Sequence, residues 1–158
     1  MENVWRPRRS NRLGGFDYAT SGAYFVTICC RNRVCLLGEV RERRVFLGEI
    51  GEIVEAWWLR LPDKFPTVRL DTWIVMPNHL HAVLELRPPL ASGIQQDRPT
   101  LARVVQWYKT MTTNSVLRST QAGTCGKLWQ RGYHERIIRC EAELDRIRDY
   151  IRTNPIRW

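Results

Sequence analysis

The chain has 158 residues, of which 44% are hydrophobic and 26% are charged, so it can bury a core and is not a disordered polymer. It contains no stretch of ~18 or more uninterrupted apolar residues, which argues against a membrane-spanning helix. The first residues lack the apolar segment of a secretory signal. Collagen-like and coiled-coil classes are also excluded, and we expect one domain over residues 1–158.

The charge balance indicates the kind of partner. The net charge is +9, and among 25 basic residues only Lys64, Lys109 and Lys127 are lysines. Arginine offers a planar fork that holds phosphate through two hydrogen bonds and stacks on bases, whereas lysine is a point charge. Together with seven tryptophans, this composition favours a nucleic-acid partner. A protein that is merely basic is the alternative that composition leaves open.

Cysteine usage indicates a reduced compartment. The five cysteines form no Cys-x-x-Cys pair, which argues against a zinc ribbon or a thioredoxin-like site. We therefore expect a cytoplasmic protein.

Hydrophobic periodicity predicts the elements in chain order. Residues 1–12 form a basic N-terminal arm that carries Arg6, Arg8, Arg9 and Arg12. Period-two or β-branched runs predict strands, and apolar residues at steps of three and four predict helices. Strands are predicted at 23–30, 68–76, 79–86 and 133–139, and helices at 46–60, 100–118 and 141–153. Residues 31–44 are irregular or a hairpin, 87–99 are a loop, and 121–126 are a turn.

The resulting order is β-α-β-β-α-β-α, which predicts the fold class α+β. Its first six elements are the split βαβ pattern of ferredoxin-like folds, an antiparallel sheet with helices on one face. The seventh element is a C-terminal helix, which continues to Asn154 and carries Tyr150.

The first candidate functional residues are His79 and His81, at the start of a predicted strand. Strand alternation places both imidazoles on one face, while Leu80, Ala82 and Leu84 point to the other. Neutral imidazole binds divalent ions well, and two histidines leave open positions for a third ligand and a substrate. The alternative is two polar residues on a solvated sheet face.

The second group lies on the last helix, where Leu144, Ile147 and Ile151 form an apolar stripe. Tyr150 borders this stripe, and Asn154 lies one turn further along the same line. A phenol can act as a nucleophile, and an amide oxygen can bind a cation. Helix geometry equally allows a tyrosine at the edge of the core and an asparagine that caps the helix.

In combination these motifs resemble the single-tyrosine HUH transposases (named for a His-hydrophobic-His pair) of the insertion-sequence-200/605-like group. The most similar branch is the one associated with repetitive extragenic palindromes (REP). The resemblance covers nearly the whole chain. Its motifs are GFDY at 15–18, GAYFVT at 22–27, VMPNHLH at 75–81, LWQRGY at 128–133 and IRDYIRTNP at 147–155.

The resemblance implies a role for each matching residue. His79 and His81 match the pair that binds Mg²⁺ or Mn²⁺, and Asn154 matches a third, amide-bearing ligand. Tyr150 matches the nucleophile that cleaves and rejoins single-stranded DNA through a 5′-phosphotyrosine intermediate. Lys109 matches a basic position that could contact phosphate, although it could equally be a solvated lysine.

The arginine arm could grip the phosphates of a hairpin, or be a basic tail without a partner. Among the other tyrosines, Tyr24 and Tyr108 fit apolar patterns and are predicted to be core residues. Whether the protein is a monomer or a homodimer stays open, since relatives of both kinds occur in the family.

Two competing functions are compatible with the same scaffold. One is a non-catalytic, domesticated protein that binds DNA hairpins, and the other is a conjugative relaxase or replication initiator of the wider HUH class. The intact set of His79, His81, Tyr150 and Asn154 favours the enzyme over the binding protein. The small size and the position of the histidines before the tyrosine argue against a relaxase.

Overall fold

A computed structural model describes residues 21–88, 99–119 and 127–158. The arm at 1–12 with its arginines, most of the 87–99 loop and the 121–126 turn lie outside these ranges. The elements are β1 (Gly22–Cys29), β2 (Gly38–Arg41), β3 (Arg44–Leu47), α1 (Glu49–Leu59), α2 (Leu61–Lys64), β4 (Val68–Met76), β5 (His79–Leu86), α3 (Leu101–Ser119), β6 (His134–Ile138) and α4 (Glu141–Thr153). Short 3₁₀ turns occupy Arg31–Arg33 and Asn154–Ile156.

The main sheet has four strands in the order β4-β5-β1-β6, and each neighbouring pair is antiparallel. Both helical connections skip one strand: α1 links β1 to β4 across β5, and α3 links β5 to β6 across β1. This split βαβ arrangement confirms the predicted ferredoxin-like fold.

The helices α1 and α3 cover one face of the sheet and enclose the main core. Leu80, Ala82 and Leu84 of β5 are fully buried there, as strand alternation predicted. Tyr24 and Tyr108 are also fully buried, which confirms them as core residues, and the Tyr108 hydroxyl donates to the Val54 carbonyl.

The helix α4 covers the opposite face and lies against β4, β5 and β6. Its apolar stripe, Leu144, Ile147 and Ile151, packs in a smaller cluster around the buried Val83. The sheet therefore lies between a thick apolar layer and a single amphipathic helix.

Two predicted boundaries need correction or refinement. The helix predicted at 46–60 begins only at Glu49, because Phe46 and Leu47 belong to β3 and pair with Glu39 and Gly38 of β2. Leu47 continues the helical period by coincidence, since it packs against the same core as α1, whereas Phe46 is half exposed. The hairpin alternative for residues 31–44 is the correct one, and its second strand ends at Leu47.

No helix within residues 21–88, 99–119 and 127–158 is long and apolar enough to cross a membrane.

Candidate active site beneath the C-terminal helix

The two histidines begin the central strand β5, on the face that α4 covers. In the register of β1 and β5, His79 lies opposite Cys29 and His81 lies opposite Thr27. The ring centroids of His79 and His81 are 4.4 Å apart. His81 is only 7% exposed and His79 is half-buried, so the alternative of a solvated face is wrong.

A neighbouring side chain engages the Nδ1 atom of each imidazole. The His81 Nδ1 lies 2.8 Å from the Thr27 hydroxyl, and the His79 Nδ1 lies 2.7 Å from the Asn78 side-chain oxygen. Both contacts leave the Nε2 atoms for other partners. The Nε2 of His79 is buried and has no hydrogen-bond partner. Such an atom is energetically unfavourable unless something binds it.

The site keeps both imidazoles neutral. Burial lowers the pKa of His81 to about 3, with a smaller contribution from His79. Burial, assisted by the charge of Arg33, also lowers the pKa of His79. Both rings therefore have lone pairs at neutral pH, which is the state that binds a metal ion.

The phenol of Tyr150 reaches the imidazoles from α4. Its Oη lies 3.4 Å from the His81 Nε2, and the ring centroids of Tyr150 and His81 are 5.3 Å apart. Phe25 supports both rings, since it stacks on His81 at 5.4 Å and meets Tyr150 edge-on at 6.1 Å. Tyr150 remains 38% exposed, so a large substrate can reach the hydroxyl.

An ion pair fixes α4 to the sheet two residues before Tyr150. Arg148 donates from Nε and Nη2 to the two carboxylate oxygens of Asp71, at 3.0 and 2.7 Å. The register of β4 and β5 shifts between Leu70 and Trp73, and Asp71 lies within this irregularity. The guanidinium of Arg148 lowers the pKa of Asp71.

Asn154 caps the C-terminal end of α4, one turn beyond Tyr150, and is only 8% exposed. The cap that helix geometry allowed is therefore present, and the ligand role of the side-chain oxygen stays a prediction. In the described parts of the chain, no three or more His, Cys, Asp or Glu side chains are grouped to hold a metal ion. A cation at the imidazoles would need an additional donor such as the amide of Asn154.

Lys109 lies on α3, and its amino group donates to the carbonyls of Gln130 and Gly132, at 2.6 and 2.9 Å. Burial lowers its pKa. Its positive charge partly opposes the rise that burial causes in the pKa of Cys29, which lies opposite His79 in the sheet. Lys109 therefore holds the 130–132 segment close to the site, and its contact with phosphate stays a prediction.

The sequence reasoning missed several residues that shape the site. Asn78 stood inside the recognised motif without a role, whereas Thr27, Phe25 and Asp71 lie far from the histidines in sequence. Trp158, which is 52% exposed, lies with its ring 5.9 Å from that of His79. Strand alternation could have placed Thr27 and Phe25 on the histidine face, but nothing in the pattern indicated Asp71 or Trp158.

A ferredoxin-like sheet with a His-x-His strand and a tyrosine helix defines a narrow class, and comparisons with known proteins agree. The family described as "Transposase IS200 like" matches residues 23–154. An uncharacterized protein of Haemophilus influenzae is 36% identical over 163 residues, covering 96% of this chain and 89% of its own length.

Two solved structures share the fold. A REP-associated tyrosine transposase bound to a REP hairpin gives a TM-score of 0.61 at 21% identity, covering 98% of this chain and 74% of its own. A candidate transposase of Deinococcus radiodurans R1 gives 0.53 at 14% identity, covering 91% and 97%. The chain belongs to the IS200-like transposase family, as its motifs predicted.

Proposed function

We propose that the protein cleaves and rejoins single-stranded DNA at hairpin-flanked sites, with Tyr150 as the nucleophile and a divalent cation, Mg²⁺ or Mn²⁺, as cofactor. Cleavage proceeds through a 5′-phosphotyrosine intermediate. The observation that carries the proposal is the 3.4 Å approach of the Tyr150 Oη to the His81 Nε2. A nucleophile and a candidate metal ligand are thus adjacent although 69 residues separate them in sequence.

The residues present fit a divalent cation. His79 and His81 are neutral, their Nδ1 atoms are engaged, and the buried Nε2 of His79 lacks a partner. Asn154 offers an amide oxygen one turn after the tyrosine. When bound, a divalent cation would polarise the phosphate and favour the deprotonated phenol. A carboxylate cluster of the kind that two-metal hydrolysis uses is absent from the described residues.

The protein's own groups would perform the remaining steps. The Tyr150 oxygen attacks the phosphorus and its proton passes to solvent. The bond to the 3′ oxygen breaks, and that oxygen takes up a proton from solvent and leaves as a 3′ hydroxyl. Phe25 and the Asp71–Arg148 ion pair hold the phenol at the imidazoles. Since the phosphotyrosine ester conserves the phosphodiester bond energy, a second 3′ hydroxyl can reseal the strand without ATP.

Hairpin DNA is the partner that best fits this site. A REP hairpin is bound in the related structure, and the net charge of this chain is +9. Arg6, Arg8, Arg9 and Arg12, with Lys109, are the proposed phosphate contacts. An enzyme of this kind would act in the cytoplasm, at the nucleoid.

The deciding experiment incubates the protein with Mn²⁺ and a set of labelled single-stranded hairpin oligonucleotides. We expect a protein–DNA adduct that survives denaturation, and its loss in EDTA and in Tyr150→Phe. Tyr133→Phe is the control, because it removes the buried hydroxyl of a tyrosine that packs against the main core rather than against the imidazoles.

A second function on the same scaffold would give a different result. A domesticated hairpin-binding protein would bind the same oligonucleotides and form no adduct with any of them. That outcome, in wild-type protein loaded with Mn²⁺, would contradict the transesterase and support the binding protein.

A further inference from the structure

We infer that Asn78 is a positioning residue, which fixes the His79 ring with its Nε2 lone pair free and turned into the site. The fixed ring follows from contacts in this structure alone. The purpose of that lone pair, cation binding, rests on the proposed function.

A hydrogen bond to the main chain fixes the orientation of the Asn78 amide. Its Nδ2 donates to the main-chain carbonyl of Arg33, at 3.1 Å. A carbonyl oxygen only accepts, so the nitrogen end of the amide must face Arg33. The oxygen end then faces the imidazole of His79.

The oxygen of the same amide determines which nitrogen of the neutral His79 ring carries the proton. The Asn78 Oδ1 lies 2.7 Å from the His79 Nδ1, and an amide oxygen can only accept. The proton of the neutral ring must therefore be on Nδ1, and Nε2 has the lone pair. The other imidazole is less constrained, because the Thr27 hydroxyl next to the His81 Nδ1 can donate or accept.

A turn at Arg31–Arg33 supplies the Arg33 carbonyl. Asn32 and Arg33 have φ values of 56° and 55°, a left-handed conformation that L residues adopt rarely. The same turn is joined to the β4–β5 connection, since the Cys30 N–H donates to the main-chain carbonyl of Asn78 at 2.8 Å. Residues 30–33 thus hold both the main-chain carbonyl and the side-chain amide of Asn78.

The consequence is a hydrogen-bonded series from the Arg33 carbonyl through the Asn78 amide to His79. Outer hydrogen bonds of this type orient metal-binding histidines and select their tautomer. In this protein the unpartnered, buried Nε2 of His79 lies at the end of the series.

Two measurements test the inference. Long-range ¹H–¹⁵N spectra of the imidazoles, recorded in EDTA at pH 7.5, report the tautomer directly, and the chain has only three histidines to assign. We expect wild-type His79 with its proton on Nδ1, and Asn78→Ala with its proton redistributed toward Nε2.

The second measurement is calorimetric titration with Mn²⁺ alone. Asn78→Ala should bind Mn²⁺ about 10–100-fold more weakly than wild type, the usual effect of losing such an outer contact. Asn114→Ala is the matched control, because it removes an exposed carboxamide on α3 and should leave the affinity unchanged.

The outcomes separate the two proposals. An unchanged His79 tautomer in Asn78→Ala overturns the positioning role, and an unchanged Mn²⁺ affinity overturns its link to cation binding. If wild type itself binds no Mn²⁺ while Asn78→Ala shifts the tautomer, the metal-dependent function fails and Asn78 keeps its role.

Discussion

The two faces of the sheet differ although the same strands form both. On one face, Leu80, Ala82 and Leu84 of β5 are fully buried in a core that α1 and α3 close. On the other, His79 and His81 of that strand lie beneath α4, which adds a small apolar cluster and an ion pair. The main core, which stabilises the fold, therefore lies on one face of the sheet, and the candidate catalytic residues lie on the other.

The largest effect that we expect is a loss of activity, and it tests the sheet face that carries His79 and His81 (the chemical face). His81→Gln should abolish the DNA adduct, because it removes the imidazole nitrogen beside the Tyr150 hydroxyl. The loss of the contact with Thr27 should lower the free energy of unfolding by only about 1 kcal/mol. Denaturing gels and urea unfolding measure the two effects, and His134→Gln, an exposed histidine, should leave both unchanged.

A substitution in the main core, on the face that α1 and α3 cover, should have the opposite effect: it should lower stability and leave activity in place. Leu84→Ala leaves a cavity in the main core and should lower the free energy of unfolding by about 2–5 kcal/mol. Under conditions where the variant stays folded, adduct formation should continue. A larger destabilisation by His81→Gln than by Leu84→Ala in urea would contradict the division between the faces.

Moderate acid should lower the free energy of unfolding through the buried histidines of the chemical face. The pKa of His81 is about 3 in the folded protein, and in an unfolded chain it returns to about 6.5. Between these values the unfolded state binds a proton that the folded state excludes. The free energy of unfolding therefore falls as the pH falls below 6.5, and His81 alone contributes at most about 1.4 kcal/mol per pH unit.

Urea unfolding between pH 7 and pH 5 measures this slope. The lowered pKa of His79 acts in the same direction, so His81→Gln should reduce the slope without removing it. The pKa of Asp71 is lowered too, and its contribution is full above its unfolded value near ~4 and is lost at more acidic pH. A slope that is the same in wild type and His81→Gln would contradict the assignment.

The ion pair between Asp71 and Arg148 allows a test of how α4 is attached to the chemical face. Asp71→Asn should cost about 1–3 kcal/mol, because it weakens two charge-assisted hydrogen bonds in a partly buried place. Amide hydrogen exchange should accelerate in α4 and not in α3. Because Arg148 also pairs with Glu141 and Asp145, a double-mutant cycle isolates the contact. Asp71→Asn combined with Arg148→Gln should cost less than the sum of the two single variants, and a purely additive double variant would argue against the contact.

The smallest effect concerns DNA binding. If ~6 phosphates are neutralised, the logarithm of affinity for single strands should fall against the logarithm of salt with a slope near −4. Replacing Arg6, Arg8, Arg9 and Arg12 together with alanine should make the slope shallower by about 3 if each contacts one phosphate. Fluorescence anisotropy across a salt series measures both, and a flat response of wild type would contradict the nucleic-acid assignment.

Much of this arrangement could be predicted from the sequence, because strands and helices impose periods of their own. The bounds 68–76, 79–86 and 141–153 agree with those of β4, β5 and α4. The start of α1 was wrong because Leu47 lies on the helical period of α1 and packs against the main core, although its backbone pairs in β3. Periodicity records which side chains face the core and does not record which backbone carries them.

The sequence alone predicted the order of the four main-sheet strands and the three long helices, the shared face of His79 and His81, and the family motifs. It did not predict the short helix α2, and it left the β2–β3 hairpin as one of two alternatives. Only the tertiary structure decided that α4 covers that face, that Arg148 meets Asp71 across the β4 irregularity, and that the Tyr150 hydroxyl reaches His81. The reason is physical. Alternation and helical pitch act over a few residues, whereas contacts between residues about 70 positions apart depend on how whole elements pack.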